Sequence, residues 1–303
     1  GKRTEAFPDG YAVKNPQNGK LYTRAQIDAE NFTGRMTPVK CSKHANDSGF
    51  CKYCNTKTVC EHKSADKNGK CKKCGMQFCA EITAGKQQTY FPTWEELCDR
   101  VKTLTADDTV VIWLYQDQEL QEAPALELAA GTVVLDLGGH SYHNGNGSLL
   151  KVSGTADITL QNGTALGSDK PDLITVSGGR LKVENSVILS CDDKTFYGYS
   201  LRAIGGDTEI DGTQVPKGSV GVDGGKLTIL DGTFSQRLAI YSGEVKLCGG
   251  TYTGTGEGGS ICIARGGNRV GDLLQEGFAF RSIEDNSWIR DDRLDATSIY
   301  NVK

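Results

Sequence analysis

The chain has 303 residues, longer than one compact unit usually runs, so at least two folding units are expected. Hydrophobic residues make up 37%, and 34 Lys and Arg against 38 Asp and Glu leave a formal charge of −4 with a pI near 5.7. Such a balance offers no basic field to gather phosphates, which speaks against nucleic acid and anionic membrane surfaces as partners. No apolar run approaches the roughly 18 residues of a membrane span. Nothing at the start has the parts of a signal peptide. The chain begins at Gly1 with no Met, as expected of a piece of a longer protein whose targeting signals lie outside it.

The two ends match. GYAVKNPQNGKLYTRAQIDA from Gly10 aligns without a gap on GFAFRSIEDNSWIRDDRLDA from Gly277. Gly10/Gly277, Ala12/Ala279, Asp28/Asp295 and Ala29/Ala296 are identical, at a constant offset of 267 residues (277 − 10). The expectation is one period of a tandem array, with 1–40 the β-rich tail of a preceding repeat and 271–303 a strand segment repeating 4–36.

Residues 41–79 hold seven of the eleven cysteines, two of the four histidines and almost no aliphatic side chains. Cys41, His44, Cys51 and Cys54 read C-x2-H-x6-C-x2-C, and Cys60, His62, Cys71 and Cys74 read C-x-H-x8-C-x2-C. A C-x2-C turn offers two thiolates on one knuckle while a nearby Cys and His complete a tetrahedron, so two tandem Cys3His zinc sites are the direct reading. Asp47 and Gly49, then Asp66 and Gly69, supply tight return loops. So small a unit gains its folding free energy from the metal, and the two ions are structural. Disulfide pairing is the alternative for an extracellular chain, but it leaves His44 and His62 unexplained. Sequential and cross-braced ligation both remain open, and Cys79 is a spare donor.

A polar connector leads to Phe91-Pro92-Thr93-Trp94-Glu95-Glu96-Leu97, where Thr93 and Glu96 have capping-box spacing. Leu97, Cys98, Val101 and Leu104 continue an apolar face, so the pattern predicts one short helix over 94–104. From Val110 the period becomes two. Segments beginning at Leu149, Leu173, Ser219 and Leu238 superpose as apolar-x-apolar, a Gly bend, apolar-x-apolar and a second corner. Those corners fall at Gly138, Asn162, Asn185, Asp211, Asp231 and Gly249, at intervals of 18–26 residues, where Gly, Asn or Asp accepts left-handed backbone. Val152, Val176, Val222 and Ile240 should stack in one inward column, and Ile158, Leu181, Leu227 and Val245 in another. Cys98 belongs under the helix, and Cys191, Cys248 and Cys262 read as small thiols filling columns.

The pattern resembles the right-handed parallel β-helices of the pectate-lyase-like superfamily, with 94–104 as the helix that caps the open first coil. The fold class expected is therefore all-β: a right-handed parallel β-helix over 92–270 behind a tandem zinc module. An antiparallel sandwich is the alternative. The resemblance carries no catalytic motif onto this chain. Asp211, Asp223 and Asp231 occupy repeated corner or bend positions, and His140 and His143 fall on a loop without a Cys or carboxylate run beside them. A polysaccharide lyase or hydrolase would need converging carboxylates that the sequence does not place.

Taken together, the zinc knuckles, the β-helix and the paired GYAVK and GFAFR strands resemble large repetitive wall-associated proteins of gut-dwelling Gram-positive bacteria, Ile299 to Lys303 partly matching a second strand of theirs. Some proteins that look like this are superantigens that seize immunoglobulin variable domains. The resemblance implies a non-enzymatic, extracellular binding module, monomeric within a tandem array, with immunoglobulin Fab as partner; a glycan-binding or spacer module is the alternative. The longest interval between corners holds Lys194, Phe196, Tyr197, Tyr199 and Arg202, a composition typical of binding hot spots. A loop packed on its own coil would explain the same residues.

Overall fold

A computed structural model describes residues 4, 7–8, 10–29, 32–41, 46–47, 50–54, 62–168, 171–192, 198–254, 259–265 and 268–303. The chain divides into two units, Gly1–Gln77 and Phe78–Lys303.

In the first unit, Tyr11–Lys14 is the middle strand of an antiparallel sheet, flanked by Leu21–Tyr22 and Thr37–Lys40. Pro38, which has no N–H to give, stands on an edge strand opposite Val13. A helix over Arg24–Asp28 starts at Thr23, whose side chain and that of Gln26 form a reciprocal capping box, and it buries Ile27. Ala12, Cys41, Cys51 and Cys54 are buried together, with Leu21, Val39 and Tyr53 packed around them. The core of this unit is thus built around sulfur, and it includes residues that precede Cys41.

The second unit is all-β, a parallel β-helix of about six turns. Strands such as Asp157–Gln161, Ile174–Glu184, Tyr199–Ile210, Ser219–Ile229 and Leu238–Leu247 stack in parallel with the coil before and the coil after. Alternate side chains point inward and form columns. One runs Leu128, Val152, Val176, Ala203, Val222, Ile240, Ile263, and another runs Val110, Val133, Ile158, Leu181, Thr208, Leu227, Val245. Both expected columns are present, the first lengthened at each end and interrupted by Ala203, the second lengthened at its start and interrupted by Thr208. Each buried aliphatic side chain contributes roughly 1.5–3 kcal/mol of transfer free energy.

The corners differ in detail from the sequence reading. Gly138, Asn162 and Asn185 adopt left-handed backbone as expected, with φ of 64°, 58° and 56°. At the three later corners the positive φ falls one residue on, at Gly212, Gly232 and Gly250. Asp231 serves its corner with its side chain, accepting from Gly232 N at 2.8 Å. The inner bends pack more tightly still. A Cβ on Gly206 would sit 2.5 Å from the carbonyl oxygen of Gly179, and one on Gly225 would sit 2.5 Å from that of Gly206, so only glycine lets these coils approach.

Both ends of the stack are closed. The segment read as a polar connector is a hairpin, Ala80–Ala84 with Gln87–Phe91, whose first strand pairs antiparallel with Thr109–Leu114. The capping helix spans Trp94–Val101, three residues shorter than the periodicity suggested; Thr93 Oγ1 accepts from Glu96 N, and Trp94, Leu97, Cys98 and Val101 are buried. Trp94 Nε1 donates to the Pro124 carbonyl at 2.8 Å, and its ring lies 4.8 Å from that of Tyr142. At the far end Ser298–Ile299 pairs antiparallel with the last parallel strand, Ile261–Ile263. Antiparallel end strands of this kind cover edges that would otherwise invite pairing.

Candidate metal centres and the Tyr199–Arg202 face

Two side-chain groups bring metal-ligand chemistry together within the first unit. The donor atoms of Cys41, Cys51 and Cys54 lie within 4.8 Å of one another, as do those of His62, Cys71 and Cys74. No other group of His, Cys, Asp and Glu converges in this way among the described residues. The fourth donors expected from sequence, His44 and Cys60, lie outside the described residues. The groups follow chain order, the first drawn from the first spacing motif and the second from the second.

Backbone bonds explain how each group is held. Gly10 N donates to the Cys54 carbonyl at 3.1 Å and Cys41 N to the Gly10 carbonyl at 2.9 Å, so the middle strand of the sheet ties both ends of the first knuckle. The short ladder of Asn46–Asp47 with Phe50–Cys51 turns the chain between them. In the second group, Gly75 N donates back to the Cys71 carbonyl at 2.8 Å, and Gly75 has φ 76°. The expected return loop is formed by Asp66, whose Oδ1 accepts from Asn68 N and Lys70 N, both at 2.9 Å. These backbone donors, that of Lys70 first, hold the Asp66 carboxyl below its ordinary range.

The donor chemistry fits a cation. Cys41 Sγ lies 3.9 Å from Cys51 Sγ, far beyond the length of a disulfide bond. Burial first, then the neighbouring Cys54 and Cys51, push the Cys41 thiol up to about 12. Three thiolates do not share so small a space in low dielectric without a compensating charge, and a divalent ion reverses that penalty. His62 Nδ1 stands 3.6 Å from Cys74 Sγ, placing a borderline nitrogen beside a soft sulfur.

The remaining cysteines separate by place. Cys79, a spare donor in the sequence reading, is a buried member of the solenoid core instead. Cys98 is buried under the cap with its Sγ 3.4 Å from the Pro124 carbonyl, as expected, and Cys191 is buried next to the Ser168 carbonyl. Cys248 and Cys262 do not fill inward columns. Both are half-exposed, and Cys262 alternates with buried Ile261 and Ile263, so it faces outward.

Of the residues proposed to meet a partner, Lys194, Phe196 and Tyr197 lie outside the described residues, whereas Tyr199 and Arg202 start the strand Tyr199–Ile210. Their surroundings were not legible in sequence. The Arg202 guanidinium lies over the Tyr199 ring at 5.4 Å, with Nη2 3.1 Å from Asp223 Oδ2 and Nη1 3.7 Å from Asp172 Oδ2. Tyr199 OH meets Tyr241 OH at 3.0 Å, and the Tyr199 ring covers Gly221, where any Cβ would come within 2.5 Å of it. Burial pushes the Tyr199 hydroxyl up, with Tyr241 adding to it. Asp172 is also raised by burial, an effect that Arg202 opposes. Asp223, attributed above to bend chemistry, therefore also anchors Arg202. Coil stacking assembles this set from Asp172, Tyr199, Asp223 and Tyr241, residues 18–27 apart along the chain, and their unequal distances from the corners gave no signal of it.

His140 and His143 have the carboxylate neighbours that the sequence did not reveal. His143 Nδ1 is 2.9 Å from Glu119 Oε2, and His140 Nδ1 is 3.4 Å from Asp117 Oδ1, each acid coming from the preceding coil.

Comparison of the chain with protein-family models, curated proteins and solved structures finds no match to any of them.

Proposed function

We propose that this chain is a non-enzymatic binding module of a bacterial cell surface, extracellular and wall-associated or secreted, which captures a host protein on its solenoid, immunoglobulin Fab being the partner. The observation that carries this reading is the Tyr199–Arg202 face. Arg and Tyr are enriched at binding hot spots, and holding a long side chain in place before binding lowers the entropic cost of ordering it; Arg202 is already oriented by Asp172, Asp223 and the Tyr199 ring. In sequence, Tyr199 and Arg202 fall in the longest interval between corners, and recognition on rigid scaffolds is carried by segments that depart from the repeat. The choice of immunoglobulin rests on the resemblance described above.

In the same reading the two Cys/His groups hold structural zinc, with Cys41, His44, Cys51 and Cys54 as one donor set and Cys60, His62, Cys71 and Cys74 as the other. Soft thiolates with imidazole favour zinc over calcium or magnesium, and four protein donors leave no open position for catalysis.

Titrating polyclonal Fab against the chain and its Arg202→Ala variant tests the functional reading. Fab should bind whatever its antigen, and the variant should bind at least about fivefold more weakly, a loss on the order of 1 kcal/mol. Retention of a purified glycan with no Fab binding would transfer the function to carbohydrate.

A further inference from the structure

Residues 277–296 fold as 10–29 do. Lys14 pairs with Leu21, and Arg281 pairs with Trp288, the same positions displaced by 267 (281 − 14; 288 − 21). The intervening turns agree bond for bond: Asn15 N to the Lys20 carbonyl at 2.8 Å and Ser282 N to that of Ser287 at 2.9 Å, then Gly19 N to Asn15 and Asn286 N to Ser282. Gly19 and Asn286 both take positive φ, 72° and 59°, and Gly10 and Gly277 do the same at 90° and 86°. Each turn leads into a short helix, Arg24–Asp28 or Asp291–Leu294.

What covers the two copies differs. Ala12 is 0% exposed beneath Cys41, Cys51 and Cys54, whereas the identical Ala279 is exposed. Leu21 packs on the sulfur cluster, and its counterpart Trp288 is 58% exposed. In the first unit Ala12 pairs with Val39, Gly10 bonds to Cys41 and Cys54, and Arg24 N donates to the Lys52 carbonyl at 2.9 Å. In the second, Arg281 and Lys303 exchange bonds of 2.9 and 3.0 Å, and Ala279, next along that edge, has no backbone partner among the described residues. Further along the same copy is a cleft of about 630 Å³, lined by Ser287, Trp288, Ile289, Arg290, Asp292 and Arg293. These residues flank Asp291, the counterpart of Arg24, where the Lys52 carbonyl docks in the first unit.

We propose that 277–294 is the docking surface for a Cys knuckle of the 37–54 kind, belonging to a further copy of this unit and entering as the continuation of the strand at Lys303. An alanine at position 279 leaves room for a sulfur cluster to close over the strand, as Ala12 does, and Trp288 becomes its wall. Modules of an array would then interlock through a shared knuckle fold and not through a loose linker. The identity of the occupant rests on the metal reading above.

The test extends the full chain. Because Arg281 pairs with Lys303 where Lys14 pairs with Thr37, residues 38–79 are repeated directly after Lys303, so that Lys303 takes the place of Thr37. Trp113→Phe leaves Trp288 as the exposed indole, since Trp94 is 1% exposed. Zinc should rise from two to four equivalents, acrylamide quenching of Trp288 should fall severalfold, and Ala279→Arg should restore the quenching. A control extension carries the sequence of residues 10–27 in place of 277–294. Four zinc ions with Trp288 still fully quenched, zinc uptake in the control alone, or failure of both extended chains to take up added zinc would each overturn the proposal. An unextended chain without zinc counts against the metal reading, while the Trp288 comparison is judged separately.

Discussion

Thr208 stands where every other member of its column is apolar. It is 3% exposed between Leu181 and Leu227, and its hydroxyl has no hydrogen-bond partner among the described residues. An unsatisfied buried hydroxyl destabilises, and valine has the same shape without it. Thr208→Val should raise the stability of the solenoid by about 1 kcal/mol in denaturant titrations; an unchanged or lowered midpoint would show that the hydroxyl is satisfied. Cys79 and Cys98 carry a different liability. Burial pushes both thiols from 9.0 up to about 12. The folded state therefore holds these protons more tightly than the unfolded chain, so their stabilisation is complete below about pH 9 and is lost as pH rises towards about 12. The denaturation midpoint of the solenoid should fall across that window, and Cys79→Ala with Cys98→Ala should lessen the fall.

Individual elements divide into those that periodicity reveals and those that only stacking reveals. The inward columns were legible, because alternation of apolar residues between recurrent glycines admits few other structures. The Thr93 cap and the buried face of Trp94–Val101 were legible for the same reason. The hairpin of Ala80–Ala84 and Gln87–Phe91 was not, since its second strand reads QQTYF and its first strand owes its place to the open edge of Thr109–Leu114. Spacing also showed which cysteines could share a metal, but not that Ala12, Leu21 and Val39 would pack around the first group. That packing makes the effect of chelation wider than the 41–79 segment. Removing metal should abolish the dispersed amide resonances of Tyr11–Lys14 and Thr37–Lys40 together with those of the knuckles, while the solenoid signals persist. Strand signals that survive chelation would mean that the sheet has a core of its own.

At the scale of the whole molecule, the first unit is built around clustered Cys and His side chains that could hold metal, and the second around columns of aliphatic side chains. The proposed binding face around Arg202 belongs entirely to the second, because Asp172, Tyr199, Asp223 and Tyr241 all come from stacked coils. Repeated units would add avidity through effective concentration without any new contact. In the proposed function, recognition therefore belongs to a surface that does not need metal, and metal to the knuckles. The most direct measurement is the binding of polyclonal Fab to the immobilised chain before and after a chelator has removed zinc. The account predicts that Fab binds and that its affinity changes less than about twofold on chelation, a difference under 0.5 kcal/mol. Absence of Fab binding, or binding that disappears with the metal, would contradict it.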